Sequence, residues 1–222
     1  MRVFTVAILL WALLINGFKE TAYAVEKTTK EPTYVNFPSL AVKTAESYLY
    51  VREKGGANRG KEVDKFHNFA GLPYGNPWCL MFINYIWHES SQPYLLNFPQ
   101  HRGARVSRFL QHAINRPYEY KVITSKSLVY GVNKLEAGDM PIWVKGANKT
   151  MLDNFNGHVG IVTKQLSSTA FESIEGNTSS GAGGNQRDGD GVYRRVRIIE
   201  MGSDFRVEAF VRHIFPKKEI KQ

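Results

Sequence analysis

The chain has a single cysteine, Cys79, which stands in Gly75-Asn76-Pro77-Trp78-Cys79, directly ahead of the apolar run Leu80 to Trp87. Phe82, Ile83, Ile86 and Trp87 recur at helical spacing, which predicts a buried helix. Pro77 suits its first turn, because proline's fixed φ fits a helix and its missing N–H has no partner there. Cys79 is therefore expected in that first turn. Free backbone N–H groups and the positive end of the helix dipole there favour thiolate over thiol. A free cysteine is often only a small buried hydrophobe, but this position tilts the reading toward a nucleophile.

A thiolate attacking an acyl carbon needs a base that also protonates the leaving amine, most often histidine. Six histidines are available. His67, His88 and His112 fall on predicted helices and are expected to be partly exposed. His101 lies in an Arg-rich loop, and His213 lies in the last strand near the tail. His158 opens a strand directly after Asn154-Phe155-Asn156-Gly157, with Gly160 two residues on and on the same face. A strand fixes a side chain more firmly than a loop, as a general base requires. A third group must orient the imidazole and stabilise its charged form. Glu175 and Asn177 end the next strand and share a face by the period of two, so either one could stand beside the ring.

Around these residues the pattern is helices first and strands second. Ser39 can cap a helix to about Arg52, with Ala41, Ala45, Tyr48, Leu49 and Arg52 on one face and Gly55-Gly56 as its stop. A second helix is expected over Glu62–Ala70, ended by Gly71, then the cysteine helix, then one over Ser107–Asn115. Past residue 120 the texture turns to strands at Met140–Val144, His158–Thr163, Thr169–Glu175, Val192–Ile199 and Arg206–Phe215. Helices followed by an antiparallel sheet is the α+β pattern. The glycine-rich stretch Ser179–Asp190 reads as a hairpin loop.

The first residues look like a secretory leader. Arg2 precedes an apolar stretch from Val3 to Ile15, Asn16-Gly17 breaks it, and Ala22-Tyr23-Ala24 supplies a small-x-small cleavage site. The apolar stretch is short of the roughly 20 residues a membrane span needs. Cleavage after Ala24 leaves a polar linker over 25–38, one domain over 39–216 and a basic tail over 217–222. The whole chain carries a formal charge of +9. The segment removed takes only one net positive charge with it, so the mature chain stays basic and is drawn to anionic surfaces. No basic block or nucleic-acid motif is present, so nucleic acid is not expected as a partner. Exported proteins usually use cysteines in pairs, so one unpaired cysteine outside the cytoplasm suggests either intermolecular pairing or a functional thiol.

Three segments together resemble the CHAP family of cysteine, histidine-dependent amidohydrolases/peptidases, relatives of the NlpC/P60 enzymes and more distantly of papain. They are Gly75-Asn76-Pro77-Trp78-Cys79, Gly157-His158-Val159-Gly160-Ile161-Val162 and Ile174-Glu175-Gly176-Asn177-Thr178. Gly56-Ala57-Asn58-Arg59-Gly60 resembles a stretch upstream of the cysteine, and Leu135-Glu136-Ala137-Gly138-Asp139 resembles the turn into the first core strand. The resemblance covers about residues 40–215. It implies a papain-like α+β fold with Cys79 as nucleophile, His158 as base, Glu175 as its orienting residue and Asn177 as a supporting polar group. It also implies amide cleavage in peptidoglycan, either between muramic acid and its peptide or within a peptide. The Cys79 N–H is one expected oxyanion donor; Tyr74 and Asn76 are candidates for the second by proximity. Trp78 and Trp143 are candidates for lining the cleft, with core packing as the alternative for both.

No metal or other cofactor is expected. Asp188-Gly189-Asp190-Gly191 is a fragment of a calcium loop without the downstream glutamate. His88-Glu89-Ser90-Ser91-Gln92 begins like a zinc-protease motif but ends in glutamine. The expected partner is peptidoglycan or another wall peptide, in the periplasm or outside the cell, with no stable membrane insertion after leader cleavage. Two other readings of the same residues are a wall-binding module that does not cut, and a thiol acyltransferase on another amide.

Overall fold

The computed structural model describes residues 35–94, 103–146, 148–180 and 189–215, all within one unit, Tyr34–Lys218. The segments read as a leader and a tail, most of that read as a linker, His101 and residues 181–188 lie outside the described residues.

Helix α1 (Phe37–Glu46) opens three residues earlier than expected. Asn36 caps it, its Oδ1 accepting from the Ser39 N–H at 3.1 Å, with Pro38 in the first turn. It also ends sooner, because residues 51–53 leave the helix to meet the start of a strand. The Val192 N–H donates to Val51 O at 3.0 Å, and Arg52 bridges Gly191. Helix α2 (Lys61–Ala70) carries Glu62 and Asp64 in its first turn, which suits the dipole, and stops at Gly71 with φ +68°. Helix α3 (Cys79–Ser91) is buried along nearly its whole length. A 3₁₀ turn (Gln92–Tyr94) follows it, and α4 (Val106–Ile114) comes next. An all-round apolar helix belongs in the middle of a domain. α1 and α2 pack on α3, and Phe66 of α2 stacks on Trp78 at 5.7 Å and meets Phe82 edge-on at 5.4 Å.

The strands form two antiparallel sheets. β1 (Tyr120–Thr124), β2 (Met140–Lys145), β3 (Asn156–Val159) and β7 (Phe205–His213) make one, in the order β1-β7-β2-β3. β4 (Ile161–Gln165), β5 (Ala170–Thr178) and β6 (Gly191–Ile198) make the other, in the order β4-β5-β6. A short helix, α5 (Ser125–Val129), follows β1. Residues of both sheets, among them Trp143, Val162, Phe171, Val207 and Phe210, share one hydrophobic core. The fold is α+β and antiparallel, as expected, but its strands make two sheets where one was expected.

The expected strand over His158–Thr163 is broken at Gly160, and its two halves belong to different sheets. His158 pairs with Trp143 of β2, whereas Ile161 pairs with Ile174 of β5. The break follows from close approach: a Cβ on Gly160 would lie 2.6 Å from Glu175 Cγ and 3.0 Å from the Ile174 carbonyl oxygen. The chain thus changes sheets where β5 comes against it, and this brings Glu175 to the back of β3. The turn Leu135–Asp139 leads into β2, but β1 precedes it in the chain. Buried Asp139 accepts from the Glu136 N–H at 2.8 Å and from two nitrogens of Arg212. Among the described residues no helix is long and apolar enough to cross a membrane.

Candidate active site

Cys79 is the first residue of α3, with Trp78 as its N-cap. Pro77 therefore sits just ahead of the helix and not inside its first turn. The Cys79 side chain lies near enough to the His158 ring to help raise its pKa. His158 Nε2 donates to Glu175 Oε2 at 3.0 Å, which leaves Nδ1 as the ring nitrogen for the thiol. All three are buried, Cys79 with 4% of its surface exposed, His158 with 1% and Glu175 with none. Of the two residues that could have oriented the ring, Glu175 is the one beside it.

The Glu175 carboxylate is held from several sides. Arg197 of β6 donates from Nε to Oε1 at 2.8 Å and from Nη2 to Oε2, and the Ser173 hydroxyl donates to Oε1 at 2.6 Å. The register explains the grouping. Arg197 stands opposite Phe171 across the β5–β6 pair, on the face that Phe171, Ser173 and Glu175 share by alternation. Arg197 also lies over the Trp143 ring, 5.4 Å from its centre. Burial alone raises a carboxyl pKa. Here the hydrogen bonds and charges of Arg197 and His158 win and hold Glu175 well below the usual carboxylate range. Burial works against a charged His158, but Cys79 and the hydrogen-bonded Glu175 beside it push it up to about 9.

This shift has a consequence for stability. The folded pKa of His158 lies above the unfolded value of about 6.5. Its contribution is therefore complete below that pH and lost as pH rises through about 9. Wild-type unfolding free energy is expected to decline between those values, with that slope missing in His158→Gln. Denaturant titrations across the range measure it, and equal slopes for the two proteins would count against the charged pair.

Asn177 turns its side chain to the backbone ahead of Cys79 rather than to the His158 ring. The pairing of β5 with β6 shifts between Glu175 and Thr178, and Asn177 has φ +54°. That bulge interrupts the period of two. The Asn177 amide oxygen accepts from the Trp78 N–H at 3.3 Å, and its nitrogen donates to Asn58 Oδ1 at 3.2 Å and to Gly189 O at 3.1 Å. Asn58, also at positive φ (+56°), donates from Nδ2 to Gly75 O at 3.2 Å. Asn177 and Asn58 together brace the backbone that leads into Cys79. Gly176 lets β5 run close beneath, since a Cβ there would meet Trp78 Cζ3 at 2.7 Å and Phe82 Cδ1 at 2.8 Å.

The aromatic candidates for the cleft are placed elsewhere. Trp78 is fully buried, and its indole N–H donates to Glu53 Oε1 at 2.8 Å. Trp143 is buried behind the site, its ring 5.3 Å from that of His158. Tyr74 is exposed, donates to Asn68 Oδ1 at 2.8 Å, and is not among the residues lining the cleft at Cys79. Asn76 does line that cleft, with its amide donating to Pro73 O at 2.9 Å.

His67 differs from expectation, whereas His213 lies in the last strand as expected. His67 is fully buried, between Val63 O at 2.8 Å from Nδ1 and Asn76 O at 2.9 Å from Nε2. It thereby ties α2 to the loop before Cys79. His213 is buried against Trp87 and Tyr120, and burial lowers its pKa to about 3.

The cleft, of about 240 Å³, opens between the starts of α3 and α4. Cys79, Asn76 and Pro77 border it on the α3 side, and Ala104, Arg105 and Val106 on the α4 side. A buried thiol, imidazole and carboxylate at the edge of such a cleft can support thiol addition to an acyl group with proton transfer to a leaving amine. Among the described residues no group of three or more His, Cys, Asp and Glu is placed to hold a metal ion. No protein-family model, no curated protein and no solved structure matches this chain.

Proposed function

We propose that this protein is an exported cysteine amidase with a papain-like, CHAP-type domain that hydrolyses an amide bond of peptidoglycan. The observation that carries the reading is the buried grouping of Cys79, His158 and Glu175, with His158 hydrogen-bonded to Glu175 and Cys79 at the edge of an open cleft. In this reading the Cys79 sulfur adds to the amide carbonyl carbon. The oxyanion is met by the Cys79 N–H at the start of α3, and one such donor is typically worth about 10²–10³ in rate. The His158 imidazolium protonates the leaving amine as the C–N bond breaks. Water then adds to the thioester, giving its proton to His158, and the acid product leaves Cys79 free. The basic character of the chain favours an anionic wall.

The test uses the chain from Val25 onward and its Cys79→Ala variant, each incubated with purified peptidoglycan under reducing conditions. Released fragments are weighed by mass spectrometry. Fragments from the cysteine protein alone are the expected result. Peptide-free glycan identifies the bond to muramic acid, and shortened stems identify a peptide bond. Wall binding without release by either protein would overturn the reading in favour of a binding module, and a new amide product would mark an acyltransferase.

A further inference from the structure

The cleft has a charge asymmetry that the reaction itself does not need. Among the described residues, Arg105 is the only charged residue lining it, and no carboxylate lines it. Most of the basic fold's buried or half-buried arginines are taken up by protein groups. Arg197 holds Glu175, Arg212 holds Asp139 and Glu136, and Arg206 holds Glu208. Arg105 differs from these. It is exposed, makes no ion pair among the described residues, and has one long hydrogen bond, from Nη1 to Asn154 Oδ1 at 3.4 Å. The Ser107 hydroxyl also donates to that Asn154 oxygen, at 3.2 Å. Asn154 thus steadies one corner of the guanidinium, and most of its donor fork stays open to the cleft.

Resting on the amidase reading, we propose that Arg105 is a specificity residue that receives a free carboxylate of the substrate peptide close to the scissile amide. A guanidinium presents paired N–H donors in a planar fork that fits a carboxylate bidentately. A carboxamide in the same place brings its own donors toward the fork and no charge. The surroundings favour the anion further. The starts of α3 and α4 both border the cleft, and asparagines 76, 156 and 177 line it without adding negative charge. The pairing is at a solvent-exposed lip, so salt weakens it.

The experiment separates this from the amidase reading by measuring binding without turnover. Three synthetic peptides, L-Ala-γ-D-Glu-L-Lys-D-Ala, are titrated calorimetrically into the Cys79→Ala protein. One has both the glutamate α-carboxyl and the terminal carboxyl free, one has the first as carboxamide, and one has the second as carboxamide. The expected result is that one of the two amidations weakens binding by about 10- to 100-fold, the range of a charge-assisted hydrogen bond. Which amidation does so identifies the carboxylate. Arg105→Gln in the same background should lose that factor on the free peptide and no longer distinguish the pair, while Arg105→Lys retains part of it. Equal affinities for all three peptides, absence of binding, or discrimination that survives Arg105→Gln would each overturn the assignment. The peptidoglycan digestion reports separately on the amidase.

Discussion

Arg197→Met is expected to destabilise the domain by about 3–5 kcal/mol, the usual result of removing one partner from a buried ion pair. For a domain of this size that is a fall in melting temperature of roughly 10 °C. The argument starts from Glu175, which has no exposed surface and whose carboxylate accepts from Arg197, His158 and Ser173. Methionine fills much of the space of the arginine stem but supplies no donor. His158 remains as a second cation, since its pKa of about 9 keeps it charged at neutral pH, which places the expected loss toward the lower end of the range. The double variant Arg197→Met/Glu175→Gln removes the stranded charge and should recover at least about 1 kcal/mol relative to additivity. There is also a pH signature. Glu175 is held below its unfolded value of about 4.3, so its contribution is present above that pH and lost as pH falls. Without Arg197 the native carboxyl protonates more readily, and the acid unfolding midpoint should move to higher pH. A melting temperature within about 2 °C of wild type, or simple additivity in the double variant, would show that Arg197 is not what holds Glu175.

The residues of the candidate site were more legible in the sequence than the groups that hold them. Cys79 announced itself by Pro77 ahead of it and the apolar run behind, and it is the first residue of α3. His158 and Glu175 lay on strands that alternation located within a few residues. Arg197 gave no comparable signal. In Arg194-Arg195-Val196-Arg197 it is one of three arginines, and only the pairing of β6 with β5 decides which of them faces Glu175. Arg194 faces the other way, to Glu46 and Glu172. His67 was misjudged for a related reason. A helix pattern shows which face is apolar, but not that a distant loop carbonyl, Asn76 O, meets the ring.

Gly160 and Asn177 show where periodic reading fails. Alternation runs unbroken through His158–Thr163, so a single strand was the natural expectation. The break depends on β5 lying where a Cβ would be, which is a tertiary fact. At Asn177 the assumed period of two is undone by a bulge, and the side chain is turned to the backbone of Trp78. The indole of Trp78 likewise needed a buried acceptor, and Glu53 supplies it from 25 residues upstream. The resemblance to CHAP sequences pointed to the stretch containing Asn58 without giving a physical reason. Its contacts to Gly75, Glu53 and Asn177 supply one, because that stretch fixes the approach to Cys79.

His158→Ala is expected to lower kcat/KM for the released peptidoglycan fragments by at least about 10⁴-fold, with Cys79→Ala as severe and the double variant no worse than either. Groups that act as one unit are strongly non-additive, because the remaining member has no partner to work with. The same substitution should leave the protein folded. Removing the imidazole leaves Glu175 still paired with Arg197 and Ser173, so no carboxylate is stranded. This is the reverse of the Arg197 case, in which the fold suffers most. Glu175→Gln separates orientation from charge. Glutamine can accept from His158 Nε2 through its oxygen, but it contributes no charge to the imidazolium. The upper pH limit of activity should therefore move below the wild-type value, which is set by His158 losing its proton near 9. A pH–rate profile of kcat/KM for wild type and Glu175→Gln reads that shift. An unchanged alkaline limb would mean that Glu175 acts only as a wall behind the ring. Full turnover in His158→Ala would remove the base from the proposed mechanism altogether.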